Sequence, residues 1–331
     1  MTENNIIDIK ENELLKIDKR LLDILLKDRT TDGNIIWATD NYVKYGPDYY
    51  PEKPITADLI TCHKGNIIRP RIAKSRTEQQ WRIRQKAEVF TPSWICNKQN
   101  NLVDAAWFGK ENVFNKETRY SWETNSKKVS FPKSLNKGWT DYVAAARMEI
   151  SCGEAPYITS RYDSVEGYFI EVKDRIGILD RKLRIVNENT ETEEDWIKWA
   201  YIAVQSVYGF DWQGDNILLA RENLLYDIVE FYDYKFSERI KVQDLVGFAE
   251  IISWNIWQMD GLKGVIPNSC HIKKVVEEDL FGTNIREEEC KGCKNGDYLK
   301  HTGIYCIIKD WDLQKNIRYV DLITGEKDGN I

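Results

Sequence analysis

Along residues 8–28 (IKENELLKIDKRLLDILLKDR), Leu14, Leu15, Leu21, Leu22, Ile24, Leu25 and Leu26 recur among charges at a spacing that predicts an amphipathic helix. Residues 30–70 lose that period, are rich in Pro, Gly, Tyr and Asp, and read as loops with short strands. Residues 136–150 predict a helix running into a short strand, and residues 168–172 (YFIEV) read as a strand. Helical spacing returns over residues 175–186 and 191–206, where Thr192 with Asp195 predicts a capping box and Trp196, Trp199 and Ala200 an apolar stripe. A short strand at 207–210 precedes a long helix at 215–234, and residues 249–257 and 304–308 read as two buried strands. Strands alternating with helices predict an α/β class with a parallel sheet. The division expected is a helical and irregular region over 1–80, then an α/β domain over 81–331 with a Cys-containing insertion around 268–302.

The 331 residues suffice for one large domain or two modest ones. Twelve Trp and 17 Tyr argue against extensive disorder and supply stacking surfaces for bases. A net charge of -6 excludes coating of nucleic acid by bulk charge, though not a local patch. Residues 69–86 are that patch: Arg69, Arg71, Lys74, Arg76, Arg82, Arg84 and Lys86 face a single Glu. They suit phosphate contact, or equally a solvated helix face with Trp81 packed inward. No apolar leader or run of ~20 apolar residues is present, so no membrane partner is expected. Seven scattered Cys, an odd number, argue against a disulfide framework and for a reducing cytoplasm.

Four segments carry the candidate chemistry. In order they are AEVFTP at 87–92, EISCGEAPY at 149–157, YGFDWQGDNILLARENL at 208–224 and NIWQMDGL at 255–262. Individually they read as a turn before a helix, a strand-to-loop turn, a strand-to-helix junction and a turn after a strand. Together they resemble, in order, G-x-[FY]-[FY]-T-P, D-P-x-C-G-x-G, Y-G-x-E followed by L-A-R-x-N-L, and N-I-x-x-G-D-x-L. These are signatures of adenine-amino DNA methyltransferases, notably the modification subunits of type I restriction systems. The similarity spans roughly residues 80–265. Glu149 stands where the family has Asp, Ala155 where it has a second Gly, and Pro156 interrupts the following helix.

The resemblance implies a Rossmann-like sheet binding S-adenosylmethionine, with methyl transfer to the adenine amino group of DNA. Phe90, Thr91 and Pro92 would hold the methionine part of the cofactor. Glu149, Cys152 and Gly153 would let the backbone approach it closely. Asp211 would accept both ribose hydroxyls, Trp212 would pack on the adenine face, and Asp260 would accept the adenine amino group. The family's catalytic [DN]-P-P-[YF] is absent from this chain. At its expected place stand Asp310, an acceptor, and Trp311, a stacking face. Little chain follows Asp312, so the sheet is expected to be incomplete at its C-terminal side, with either N-terminal segments or another protein subunit completing it, and with a further subunit supplying target recognition. Rival readings are a non-catalytic cofactor- or DNA-binding component of the same kind of complex, and a zinc-stabilised nucleic-acid-binding module. The last rests on Cys290 and Cys293, a C-x-x-C in a Gly-containing turn flanked by Cys270, His271, His301 and Cys306, any four of which could hold a structural zinc.

Overall fold

The structure is a computed structural model that describes residues 11–132, 137–271, 273–279 and 282–325, with side chains described outside 273–279 and 282–288. The N-terminal apolar stripe forms two helices, α1 (Glu11–Ile17) and α2 (Lys19–Leu26), broken at Asp18, whose carboxylate caps α2 by accepting the Arg20 N–H. Leu14, Leu21, Leu22 and Leu25 are buried in one core with Leu218, Leu225 and Ile252, far along the chain. The packing therefore runs across the boundary expected near residue 80. Residues 30–70 form loops, tight turns and the one-turn helix α3 (Ala57–Ile60) around Trp37, whose ring lies 4.6 Å from Tyr42 and 5.2 Å from Tyr49. The basic segment forms α4 (Arg76–Lys86), capped by Ser75, and α5 (Ser93–Phe108) follows. A small antiparallel pair, β1 (Asn115–Glu117) and β2 (Trp122–Thr124), and α6 (Trp139–Ala144) complete the first half.

Three parallel strands position the site: β3 (Arg147–Ile150), β4 (Val207–Asp211) and β5 (Ile256–Gln258), in spatial order β3-β4-β5. Helices α7 (Ile178–Asn189) and α8 (Glu193–Gln205) connect β3 to β4; α9 (Gly214–Phe236) and α10 (Val242–Asn255) connect β4 to β5. The chain is thus mixed α/β with a small parallel sheet. Thr192 caps α8 by accepting the Asp195 N–H, one half of the expected capping box, while the Asp195 carboxylate accepts the Thr192 hydroxyl rather than its backbone N–H. The middle strand β4 is buried at every position but Tyr208, whereas Met148 and Ile150 of β3 are exposed beside an edge that no strand among the described residues covers.

Two interior contacts explain the composition of the 208–224 segment. Gly214 opens α9 against the Ile36 carbonyl, where any Cβ would lie 2.0 Å from that oxygen. Arg221, fully buried, donates to the carbonyls of Leu25, Lys27, Ser253 and Ile256. It thereby ties the ends of α2 and α10 to α9, as a cation set among helix C-terminal carbonyls.

The remaining elements are the hairpin β6 (Lys273–Asp279) and β7 (Gly282–Glu288), the short α11 (Lys291–Asn295), the hairpin β8 (Ile307–Asp310) and β9 (Lys315–Arg318), and α12 (Tyr319–Thr324). Three expected strands are corrected. Residues 249–255 are the end of α10, not a strand: Ala249, Ile251 and Ile252 are buried, and an apolar run covered on most sides carries no period that separates helix from strand. Residues 304–308 do not join the parallel sheet. Ile304 is exposed, and only Ile307 and Ile308 enter the β8–β9 hairpin. Residues 168–172 make one isolated bridge, Phe169 to Tyr162, before a single 3-10 turn at Val172–Asp174. No helix among the described residues is long and apolar enough to cross a membrane.

Candidate functional site

The carboxyl ends of β3 and β4 open into a cavity of about 1200 Å³. Segments far apart in sequence meet there: Glu88, Phe90 and Thr91 ahead of α5; Glu149 to Gly153 at the end of β3; Asp211 to Gln213 at the end of β4; and Asn216 in the first turn of α9. Loop residues Thr39 and Asp40, and Asn268 from beyond β5, form the opposite wall. Ligands of open α/β sheets bind at this edge because strand-to-helix turns there present backbone groups and side chains together.

The turn after β3 is tightly wound. Cys152 N–H continues the ladder to the Phe210 carbonyl at 2.8 Å, and Ser151, Gly153 and Ala155 all adopt positive φ, at 54°, 56° and 65°. Only Gly does so without steric cost, so Ser151 and Ala155 are held in place by their surroundings. Gly153 N–H donates to Asp211 Oδ2 at 3.1 Å, which joins the two turns. Asp211 Oδ1 accepts the Gln213 N–H at 2.8 Å and the Asn216 amide at 3.3 Å. A carboxylate offers about four acceptor positions. Three are taken, so Asp211 retains one for a ligand rather than the pair expected for two ribose hydroxyls.

Burial dominates the electrostatics. It lifts the Asp211 carboxyl to about 6 despite the hydrogen bonds to Gln213, Gly153 and Asn216. Burial, and then the neighbouring Asp211 charge, push Glu149 well above the usual carboxylate range, against hydrogen bonds from the Tyr157 and Ile158 backbone. The wall thus carries two acids that resist ionising together. It also carries buried acceptors with no partner: Glu149 Oε2, Asn216 Oδ1 and Thr39 Oγ1. Buried polar oxygens are nearly always satisfied, and three at one cavity call for donors from a ligand or water.

Trp212 is half-buried at the rim, its indole N–H donating to the Ala38 carbonyl at 3.1 Å. Asn268 donates to the same carbonyl at 3.2 Å. Phe90 is half-buried under the Arg71 guanidinium, 5.1 Å from the ring centroid.

Of the residues expected from sequence, Phe90, Thr91, Glu149, Cys152, Gly153, Asp211 and Trp212 line this cavity. Pro92 lies just behind it as the cap residue of α5. Asp260 is not brought to it. Its Oδ1 accepts the Leu262 N–H at 3.0 Å and its Oδ2 pairs with Lys263 at 3.1 Å, so the carboxylate closes its own turn. Asp310 and Trp311 are not brought to it either. Asp310 Oδ1 accepts the Leu313 N–H in the turn between β8 and β9, and the Trp311 indole donates to Asn255 Oδ1 at 2.7 Å while Lys309 covers its ring. Thr39, Asn216 and Asn268 escaped sequence reasoning, although Asn216 lies within the 208–224 segment.

Several basic residues of 69–86 have internal duties instead of facing solvent. Arg82 and Lys74 are buried against Asp215, at 2.8 and 3.7 Å, and Arg82 also pairs with Glu88. Burial opposes the Asp215 charge, but Arg82 and Lys74 outweigh it and hold that carboxyl at about 2. Arg69 pairs with Glu78 and Lys86 with Asp40.

A second constellation lies in the insertion. The ligand atoms of Cys270, Cys290, Cys293 and His301 all lie within 4.8 Å of one another, a Cys₃His set compatible with a metal ion. Cys290 and Cys293 are therefore joined by Cys270 and His301 and not by Cys306, which is buried elsewhere with its thiol toward the Gln258 carbonyl. No family model matches the chain, and no curated protein or solved structure is significantly similar to it.

Proposed function

We propose that this chain binds S-adenosylmethionine in the cavity at the ends of β3 and β4, on a Rossmann-like half-sheet, and serves as the cofactor-binding part of a DNA adenine methyltransferase, the modification component of a restriction-modification system. The observation that carries this reading is the meeting of three separately recognised segments, 88–91, 149–153 and 211–216, around one cavity. The chemistry of the wall fits the cofactor. Unpartnered oxygens at Glu149, Asn216 and Thr39 suit its hydroxyls, amino and ammonium groups, the Asp211 carboxylate, ionised above about 6, suits its positive charge, and Trp212 offers a face for adenine. The volume exceeds the ~300–1,000 Å³ of ordinary small-molecule sites, which leaves room for a second group beside the cofactor.

Asp310 and Trp311 lie outside the cavity and β3 has an uncovered edge among the described residues. Both observations favour a division of labour in which this chain holds cofactor and another polypeptide supplies the base-binding groups.

The test is calorimetric titration with S-adenosylmethionine. Binding should occur, weaken about tenfold or more in Trp212→Ala through lost stacking, and weaken by about tenfold from pH 7 to pH 5 as Asp211, at about 6, takes up the proton that binding must expel. Titrations with no heat at millimolar cofactor refute the reading. Methyl transfer to DNA by the chain alone would refute the division of labour while leaving the cofactor site intact.

A further inference from the structure

We infer that Cys270, Cys290, Cys293 and His301 form a structural zinc site that staples the two ends of the β6–β7 hairpin to the turn carrying α11. The inference does not depend on what the cavity binds.

His301 Nδ1 faces three sulfurs at once: Cys290 Sγ at 3.5 Å, Cys293 Sγ at 3.6 Å and Cys270 Sγ at 3.7 Å. One imidazole nitrogen makes one hydrogen bond and cannot satisfy three thiols. The distances have a simpler source. A tetrahedral ion with bonds of ~2.3 Å to sulfur and ~2.05 Å to nitrogen separates sulfur from nitrogen by about 3.6 Å. The three separations reproduce that edge, and the three thiols are free of disulfides.

The backbone is built for the same geometry. Gly292 sits between the paired cysteines, and a Cβ there would lie 2.6 Å from His301 Nδ1, so only glycine lets the ring approach. Thr302 N–H donates to Cys290 Sγ at 3.2 Å, the contact that stabilises a ligating thiolate and aims it. The His301 backbone is held in turn, its main-chain N–H donating to the Tyr305 hydroxyl and that hydroxyl to the Tyr298 carbonyl.

Ligand chemistry selects the metal. Three soft thiolates with one imidazole suit zinc and disfavour calcium or magnesium. Four protein ligands leave no position for water, so the ion is structural and not catalytic. Its place in the chain gives it a task. Cys270 lies just before β6 and Cys290 just after β7, so coordination closes the hairpin at its base. That base is continuous with Asn268, which donates to the Ala38 carbonyl in the cavity wall. Zinc would therefore also fix the loop that closes one side of the cavity.

The full chain, purified under reducing conditions and dialysed against micromolar zinc, should carry one zinc by elemental mass analysis. X-ray absorption should show three sulfurs and one nitrogen in the first shell. The doubly substituted Cys290→Ser/Cys293→Ser should lose the metal, while Cys62→Ser, at an exposed cysteine elsewhere, should keep it. Hydrogen exchange on chelation should rise in residues 268–271 and 289–303 and stay unchanged in α9. If the double variant does not fold, cobalt(II) loaded into the unaltered chain decides: thiolate charge-transfer and tetrahedral ligand-field bands support the site. A folded chain without zinc, a first shell of oxygen and nitrogen, or octahedral cobalt spectra would overturn it.

Discussion

Replacing Asp211 by asparagine tests the electrostatic account of the cavity wall in the absence of any ligand. Burial lifts this carboxyl from 3.8 to about 6. The folded-state value lies above the unfolded one, so the stability linked to this proton is fully present below pH 3.8 and is lost as pH rises through 6. The full loss is about 2 units, or about 3 kcal/mol, reached by pH 8. Linkage places roughly half of it below pH 5 and half between pH 5 and pH 8. The substituted amide carries no charge and escapes the whole effect. It keeps an oxygen for the Gln213 N–H but presents an N–H₂ to Gly153 in place of an acceptor, which costs about 1–3 kcal/mol at every pH. The absolute sign at one pH is therefore a balance of two terms, but the change with pH depends on the charge alone. Stability of Asp211→Asn relative to the unaltered chain should rise by about 1.5 kcal/mol from pH 5 to pH 8. Urea denaturation measures this, at low micromolar concentration because the isoelectric point of 5.4 falls inside the window. Parallel stability profiles for the two proteins would refute the argument that Asp211 is a buried acid under strain.

Asp215→Ala leaves Arg82 and Lys74 buried without their shared counter-charge and should cost about 3–5 kcal/mol in a thermal or urea melt. Because Asp215 titrates at about 2, below the usual carboxylate, its contribution is present above pH 4 and fades as pH falls toward 2; a variant as stable as the parent at pH 7 contradicts this. Arg221→Lys exchanges a planar fork held by four carbonyls for three donors on a flexible stem, and should cost about 1–3 kcal/mol, read as a lowered urea midpoint with unchanged slope.

The parts legible in the sequence are those where short-range chemistry decides the outcome. The alternation of 191–206, 207–210 and 215–234 became α8, β4 and α9 with shifts of a residue or two, because Thr192 caps one end and only glycine fits at 214 beneath the Ile36 carbonyl. The Asp211 and Gly153 turns were legible as turns because strand-end turns favour small residues and acidic acceptors, and the two meet at one cavity. What stayed hidden depends on contacts across the chain. Residues 249–255 look strand-like until α2 and α8 are seen to cover them. Lys74 and Arg82 read as part of a basic surface until Asp215, more than a hundred residues away, is found against both.

The same logic explains why two acidic residues with similar sequence credentials part company. Asp211 ends a buried strand, and its carboxylate reaches across to the neighbouring strand's turn, so it faces the cavity by necessity. Asp260 also follows a buried strand, yet two residues on it meets an N–H at Leu262 and three on a cation at Lys263. A carboxylate offered partners within its own turn takes them, because no loop need be ordered to make the contact. The distinction could have been drawn from the residues that follow each acid. Asp211 is succeeded by Trp-Gln-Gly and a helix, which supply donors from one side alone, whereas Asp260 is succeeded by Gly-Leu-Lys, which encloses it. An acid that its own turn leaves partly unsatisfied, beside a glycine turn from the adjacent strand, is the better marker of the cavity edge in this small parallel sheet.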